Sequence, residues 1–403
     1  MQKKGNGSMQ DKIRWYPIWR CHVQDYAPLG ADTSDLTQQM TFRNNLDGES
    51  IRIRLSNLYG KEPLPISDLQ VTVSEKKINF FTDKKADAVR TMTVNSSPGI
   101  ILPPGEECMT DPVFLPVKAG ELVTVRMTFP GKCHISGCCG FHSENIGSVM
   151  FQEKKGRVEA AEISRAAATN FSPHVVFGIR SIEAAGRKKP VILAAFGDSI
   201  VQQGYWVGAL QRKFAEFMPG WLLYNEGISG NRVLYDNHSS SGLNPIFGKA
   251  GIRRFEKDVF SGCHPDIVMI AEGVNDLVHP GNGSPLSEMM TAGDLIGGLE
   301  KLCGMTEKNG SIPLIATISP FLGYNEIKDR QREEIRQKVN EWIRHMPYFL
   351  DVDACVRSRF DASCLDSKYD IGDHLHLNAL AGDVISAEAI PVLKKIMEKE
   401  TAV

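Results

Sequence analysis

PVILAAFGDSIVQQGYWVGALQRKFAEF, residues 190–217, is the stretch on which the fold of this chain turns. Pro190–Phe196 is an unbroken apolar run, and it passes through Gly197-Asp198-Ser199-Ile200 into an amphipathic stretch from Val201 to Phe217. An apolar strand with no polar alternation is buried on both faces, and a helix directly after it is the start of a crossover in a parallel sheet. The pattern repeats downstream. Strands are expected at Trp221–Asn225, Asp266–Glu272, Ile312–Ile318 and Tyr348–Val352. Helices are expected near Ile252–Phe260, Pro285–Lys308 and Asn325–Met346, and at Ala379–Lys399 with a break near Pro391. In the third of these, Ile335, Val339, Ile343 and Met346 share one face at helical spacing.

Upstream the grammar is different. From about Trp15 to Ala184 short runs alternate between apolar and polar residues, as in Ile51, Ile53 and Leu55 against Arg52, Arg54 and Ser56. Leu69, Val71 and Val73 alternate in the same way, and Leu122–Thr128 and His174–Ile182 are two more candidates. Period-two alternation bounded by turns such as Pro103-Pro104-Gly105 and Lys118-Ala119-Gly120 marks half-buried antiparallel strands. No helix is expected in this half. Gly186-Arg187-Lys188-Lys189 separates the two grammars. The expected organisation is an all-β sandwich or jelly-roll domain over residues 1–185, followed by a three-layer α/β/α domain of flavodoxin-like type over 186–403.

Composition narrows the function classes. A formal net charge of -2 in 403 residues argues against nucleic acid or an anionic membrane as partner. No apolar run reaches the roughly 20 residues of a membrane helix. Met1 to Lys12 is polar, so no signal peptide is expected in the sequence. Nine scattered cysteines, an odd number without a CxxC pair, fit a reducing compartment, and the expected location is cytoplasmic.

Open parallel sheets bind ligands at the carboxyl ends of their strands. The first strand ends in Gly197-Asp198-Ser199, where a serine meets the positive end of a helix, although either Asp198 or Ser199 also suits a plain N-cap. The second ends in Asn225-Glu226-Gly227-Ile228-Ser229-Gly230-Asn231, a glycine-rich turn that permits close backbone approach. The third ends in Gly273-Val274-Asn275-Asp276, whose asparagine can donate to an oxyanion or simply cap the next helix. Near the C-terminus, Asp373 precedes His376 by three residues, close enough to bond the imidazole Nδ1–H and turn Nε2 outward. His374 competes as base, and His374-x-His376 with Asp373 has a metal-site flavour without further ligands. An α/β-hydrolase elbow needs Gly-x-Ser-x-Gly, and Val201 stands at the second glycine position. Gly242 to Lys249 fails as a phosphate loop, with one residue too many between the glycines and Ala250 for Ser or Thr.

Together the four segments resemble the four blocks of the SGNH (GDSL-like) hydrolase family, over about Pro190 to the C-terminus. Ile200 stands where the family often has Leu. The first half resembles the β-domain that precedes the catalytic domain in some members, through Arg52-Ile53-Arg54-Leu55-Ser56-Asn57 and Asp111-Pro112-Val113. The resemblance implies a serine esterase with Ser199 as nucleophile, His376 as base and Asp373 as its orienting carboxylate. It implies an oxyanion hole from the backbone of Ser199 and Gly230 and the side chain of Asn275, with no metal or organic cofactor. The expected substrate is a small-molecule or saccharide ester with a short acyl group, chiefly O-acetyl on sugars. The alternatives are a lysophospholipase or lipase and a non-catalytic carbohydrate-binding protein on an esterase scaffold. Tyr235 and His238, in the long loop after the second strand, are the candidate substrate contacts. Tyr205 is an aromatic that a sugar can stack on, and Trp206 is expected in the core. The β-rich half is either a carbohydrate-binding module or a lid contributing one wall of the cleft.

Overall fold

The computed structural model describes residues 13–82, 88–164, 173–238 and 242–401, so the polar start read above lies outside the described residues. Five parallel strands form the sheet of the C-terminal half: Val191–Gly197, Trp221–Gly227, Ile267–Ala271, Ile312–Ala316 and Phe349–Leu350. Their spatial order is second, first, third, fourth, fifth, the doubly wound order of flavodoxin-like folds. Four of the strands are apolar throughout because both of their faces are covered, while the edge strand Trp221–Gly227 also carries Asn225 and Glu226 near its end. Ala194 and Phe196 point to one side, with Val268 and Ile270, into the helices Gly251–Phe260, Ala292–Lys308 and Arg330–Arg344. Leu193 and Ala195 point to the other, with Met269 and Leu314, under the helices Tyr205–Phe217 and Ala379–Thr401. Val339 and Ile343 are fully buried on the apolar face of their helix, and Ile335 and Met346 pack at its margin.

Two expectations about helices are corrected. The stretch from Val201 to Phe217 is two helices, Ser199–Gln202 and Tyr205–Phe217, because Gly204 between them takes the left-handed conformation at φ +75°. The last helix runs unbroken from Ala379 to Thr401 through Pro391. Proline inside a helix costs about 3 kcal/mol. Ile385, Ala389, Leu393 and Ile396, all fully buried, hold the two turns on either side of it against the core.

The N-terminal half is antiparallel. One sheet orders Arg14–Arg20, Ile179–Gly186, Gly48–Ser56 and Glu107–Met109, with Val113–Val117 also on Gly48–Ser56. A larger sheet centres on Ala31–Arg43, Leu122–Ile135 and Leu64–Ser74, and a third is built on Gly137–Phe141. Ile51, Ile53 and Leu55 of the first sheet and Val71, Val123 and Val125 of the second are buried in one hydrophobic cluster. Where no helix was expected in this half, the described residues include a 3-10 turn at Ala27–Leu29 and a short α-helix at Ala160–Ile163, the latter opened by a capping box between Glu159 and Glu162.

That cluster continues into the C-terminal half, so the two halves share a core. The joint is the edge strand Trp221–Gly227. Cys21 pairs with Asn225 in parallel, and the His22 N–H donates to the Asn225 carbonyl at 2.8 Å. Asn45 Nδ2 donates to the carbonyls of Met218 and Trp221. Among the described residues no helix is long and apolar enough to cross a membrane.

Candidate active site

The first strand ends at Gly197, and the chain turns at Asp198 into the helix Ser199–Gln202. Asp198 Oδ1 accepts the Ile200 N–H at 2.9 Å and so supplies the N-cap. Capping is therefore the work of Asp198, and Ser199, the first helical residue, has its hydroxyl free for another partner. That partner is His376, whose Nε2 lies 2.9 Å from Ser199 Oγ. On the other side of the ring, His376 Nδ1 lies 2.5 Å from Asp373 Oδ2, while Asp373 Oδ1 accepts the N–H groups of His376 and Leu375. Burial opposes ionisation of Asp373. The His376 hydrogen bond and charge, with those two amides, overcome it and bring its pKa down to about 2. His374, in the left-handed region at φ +67°, pairs with Asp370 Oδ2 at 3.1 Å and is not among the residues that line the cleft with Ser199.

Gly230 and Asn275 join Ser199, His376 and Asp373 in one cleft, together with His142, Pro173, Gln203, Tyr205, Ser229, Phe247, His279, Tyr324, Ile371 and Leu375. Gly230 has φ +74°, and a Cβ there would lie 2.2 Å from the Phe247 ring, so no side chain fits. The buried Asn275 donates one amide hydrogen to the Asn231 carbonyl at 3.0 Å, which fixes the side chain and leaves its other N–H. Asp276 accepts the Val233 N–H with both oxygens and anchors the same loop, with its pKa raised by burial to about 6.

Of the residues singled out in the sequence, Ser199, Gly230, Asn275, Asp373, His376 and Tyr205 are brought together. Tyr235 and His238 are not among those lining the cleft. The Tyr235 ring lies under the Arg232 guanidinium, 5.0 Å from centroid to Cζ, and His238 Nδ1 lies 2.7 Å from Glu288 Oε1. Asn237 between them is the buried member of the loop, and it bonds to the Gly230 carbonyl. Trp206 is in the core, as expected of it.

Two contributions escaped the sequence. His142 and Pro173, from the β-rich half, form part of the cleft wall, with the His142 backbone N–H on the Gln203 carbonyl at 2.9 Å. The same half reaches the glycine-rich turn through Gln202, which bonds Gln24 and the Gly140 carbonyl and accepts the Ser229 N–H at 2.7 Å. The second is Arg254, a buried guanidinium behind the strand ends. It donates to the carbonyls of Gly197 and Glu226 at 2.8 and 2.9 Å, to Asn231 Oδ1 at 2.7 Å and to Glu272 at 3.2 Å. It thus ties the ends of three strands together behind the nucleophile. In sequence it forms an i,i+4 pair with Asp258, indistinguishable from a solvated surface pair. The apolar partners Phe255 and Val259, one position further on, were the available sign that this edge of the helix faces inward.

Residues 195–382 match the GDSL-like lipase/acylhydrolase family. That segment is a GDSL-like acylhydrolase domain, and by class the protein is a carboxylic ester hydrolase. No curated protein sequence matches the chain. Solved structures similar to it include a GDSL-like lipase from Bacteroides thetaiotaomicron, 19% identical over 53% of this chain and 92% of that one, with a TM-score of 0.37. A carbohydrate acetylesterase from Sinorhizobium meliloti is 17% identical over 52% of this chain and 99% of that one, with a TM-score of 0.38. An acetyl xylan esterase is 19% identical over 50% and 98%, with a TM-score of 0.36.

Proposed function

We propose that the protein is a serine esterase that removes short acyl groups, chiefly O-acetyl groups on saccharides, through an acyl-enzyme on Ser199. The observation that carries this reading is the continuous chain from Ser199 Oγ to His376 Nε2 at 2.9 Å and from His376 Nδ1 to Asp373 Oδ2 at 2.5 Å. Ser199 Oγ attacks the ester carbonyl while His376 Nε2 takes its proton. The ionised Asp373 holds the ring in the tautomer that leaves Nε2 free and stabilises the imidazolium that forms. The oxyanion of the tetrahedral intermediate sits on the backbone N–H groups of Ser199 and Gly230 and on the Asn275 side-chain amide. His376 then passes its proton to the departing alcohol oxygen. It next takes a proton from water as that water attacks the acyl-enzyme, and releases the carboxylic acid and free Ser199.

The lining of the cleft supports a short acyl group and a polar alcohol. His142, Gln203, Tyr205, Ser229, His279 and Tyr324 present nitrogen and oxygen atoms, and among the described lining residues only Pro173, Phe247, Ile371 and Leu375 have wholly apolar side chains. A long acyl chain needs a continuous apolar wall, because each methylene contributes only when it leaves water, at about 0.8 kcal/mol. The β-rich half enters this reading as one wall of the cleft. The test is hydrolysis of p-nitrophenyl esters from acetate to dodecanoate, with Ser199→Ala in parallel. Acetate should be the best substrate, with loss of activity in the variant. A preference for long chains would overturn the substrate class.

A further inference from the structure

His279 stands in the cleft and no step described above uses it. Its backbone N–H donates to the Asn275 carbonyl at 3.1 Å, so the two side chains lie one helical turn apart and both line the cleft. The ring is held on two sides. Phe247 meets it edge to face, with centroids 6.2 Å apart and planes at 70°. Asn237 Nδ2 lies 3.2 Å from His279 Nδ1.

The tautomer follows from the other contacts of that amide. Asn237 Nδ2 also donates to the Gly230 carbonyl at 3.3 Å, and Asn237 Oδ1 accepts the Ser284 hydroxyl at 3.4 Å. An amide nitrogen only donates, so His279 Nδ1 accepts and the ring proton sits on Nε2. Burial, and then the charge of Arg232, push the pKa of His279 down to about 4, and the ring is neutral at physiological pH. The Asn237 side chain that sets the tautomer is also the one that holds the Gly230 carbonyl. Asn237 therefore links the ring to the oxyanion loop.

We propose that His279 is a specificity-determining residue whose Nε2–H donates to an uncharged oxygen of the substrate, a hydroxyl or ring oxygen next to the scissile ester. A neutral imidazole offers one directional donor and no net charge. It therefore favours a polyol or saccharide ester over an ester carrying a carboxylate or phosphate, for which a cation is the stronger partner. This inference rests on the serine-esterase reading.

The test compares kcat and KM of the wild type, His279→Phe and His279→Gln on phenyl acetate and on a mono-O-acetylated methyl xyloside. Phenylalanine keeps the aromatic packing on Phe247 and removes the donor, and glutamine restores a donor. The ratio of kcat/KM for the xyloside ester to that for phenyl acetate should fall about 10-fold in His279→Phe, mainly through KM, and recover in His279→Gln. An unchanged ratio in His279→Phe, or a ratio that falls equally in both variants, would overturn the proposal. Failure of the underlying reading is separable, because it would show as wild-type activity surviving Ser199→Ala on both substrates.

Discussion

Replacing Glu226 by glutamine should loosen the protein at the joint between its halves. Glu226 is the last residue but one of the second strand of the parallel sheet, with no side-chain exposure. Its Oε1 lies 2.6 Å from Arg20 Nε and its Oε2 lies 3.2 Å from Arg180 Nη2, and both arginines come from the β-rich half. Burial alone would favour the neutral acid. Arg180 and Arg20 overcome that and hold the carboxyl well below the usual carboxylate range. Glu226→Gln keeps the shape and removes the charge, leaving two guanidinium groups without their shared counter-ion. Breaking a buried pair in this way costs about 3–5 kcal/mol. The lower end applies, because Arg20 keeps the carbonyls of Asp258 and Ser261 and Arg180 keeps that of Cys21. At about 2.1 cal/mol/K of unfolding entropy per residue, a chain of this length loses about 4 °C of Tm for 3 kcal/mol. The assay is scanning calorimetry of both proteins with kcat on p-nitrophenyl acetate. Since Arg254 grips the Glu226 carbonyl next to the oxyanion turn, kcat should fall with Tm. A Tm within 1 °C of wild type, roughly a quarter of that shift, would show that this carboxylate does not couple the halves.

Asn275→Ala removes one side-chain donor from the oxyanion site and should lower kcat by about 10²–10³ with little change in KM, measured by steady-state kinetics on p-nitrophenyl acetate. For pH, Glu226 and Asp373 have folded pKa values below their ordinary 4.5 and 3.8, so the stability they supply is complete above that range and lost as the pH falls through it. Asp276, raised by burial to about 6, and Asp198, raised by burial in the same direction, act with the opposite sign: the native state keeps these protons longer, and stability declines as the pH rises from 3.8 towards neutrality. A thermal-shift series should therefore place the highest Tm between about pH 4 and 6, and a maximum on the alkaline side would contradict this assignment.

The parallel sheet and its site motifs were legible because the signals are local. An apolar run ending in glycine followed by a helix reports a covered strand wherever it occurs, and Asp373 lies close enough to His376 for its spacing to carry geometry. What was hidden depends on contacts across the fold. His142 lies 57 residues before Ser199 and enters the cleft only because the β-rich half docks on the edge strand Trp221–Gly227. Tyr235 and His238 are polar aromatic groups on the loop that enters the site, but that loop turns Asn237 inward and leaves Tyr235 on Arg232 and His238 on Glu288. His279 was within reach of the sequence. Extending the Gly273-Val274-Asn275-Asp276 block by one helical turn from Asn275 arrives at it.

Covalent labelling decides whether Ser199 is the nucleophile. The protein is treated with a fluorophosphonate, which phosphonylates an activated serine, and the adduct is located by peptide mass spectrometry. One adduct per chain is expected on Ser199, formed in step with loss of esterase activity, and none in Ser199→Ala. Activity that persists while Ser199 is fully labelled, or an inactivating adduct on another residue, would contradict that role.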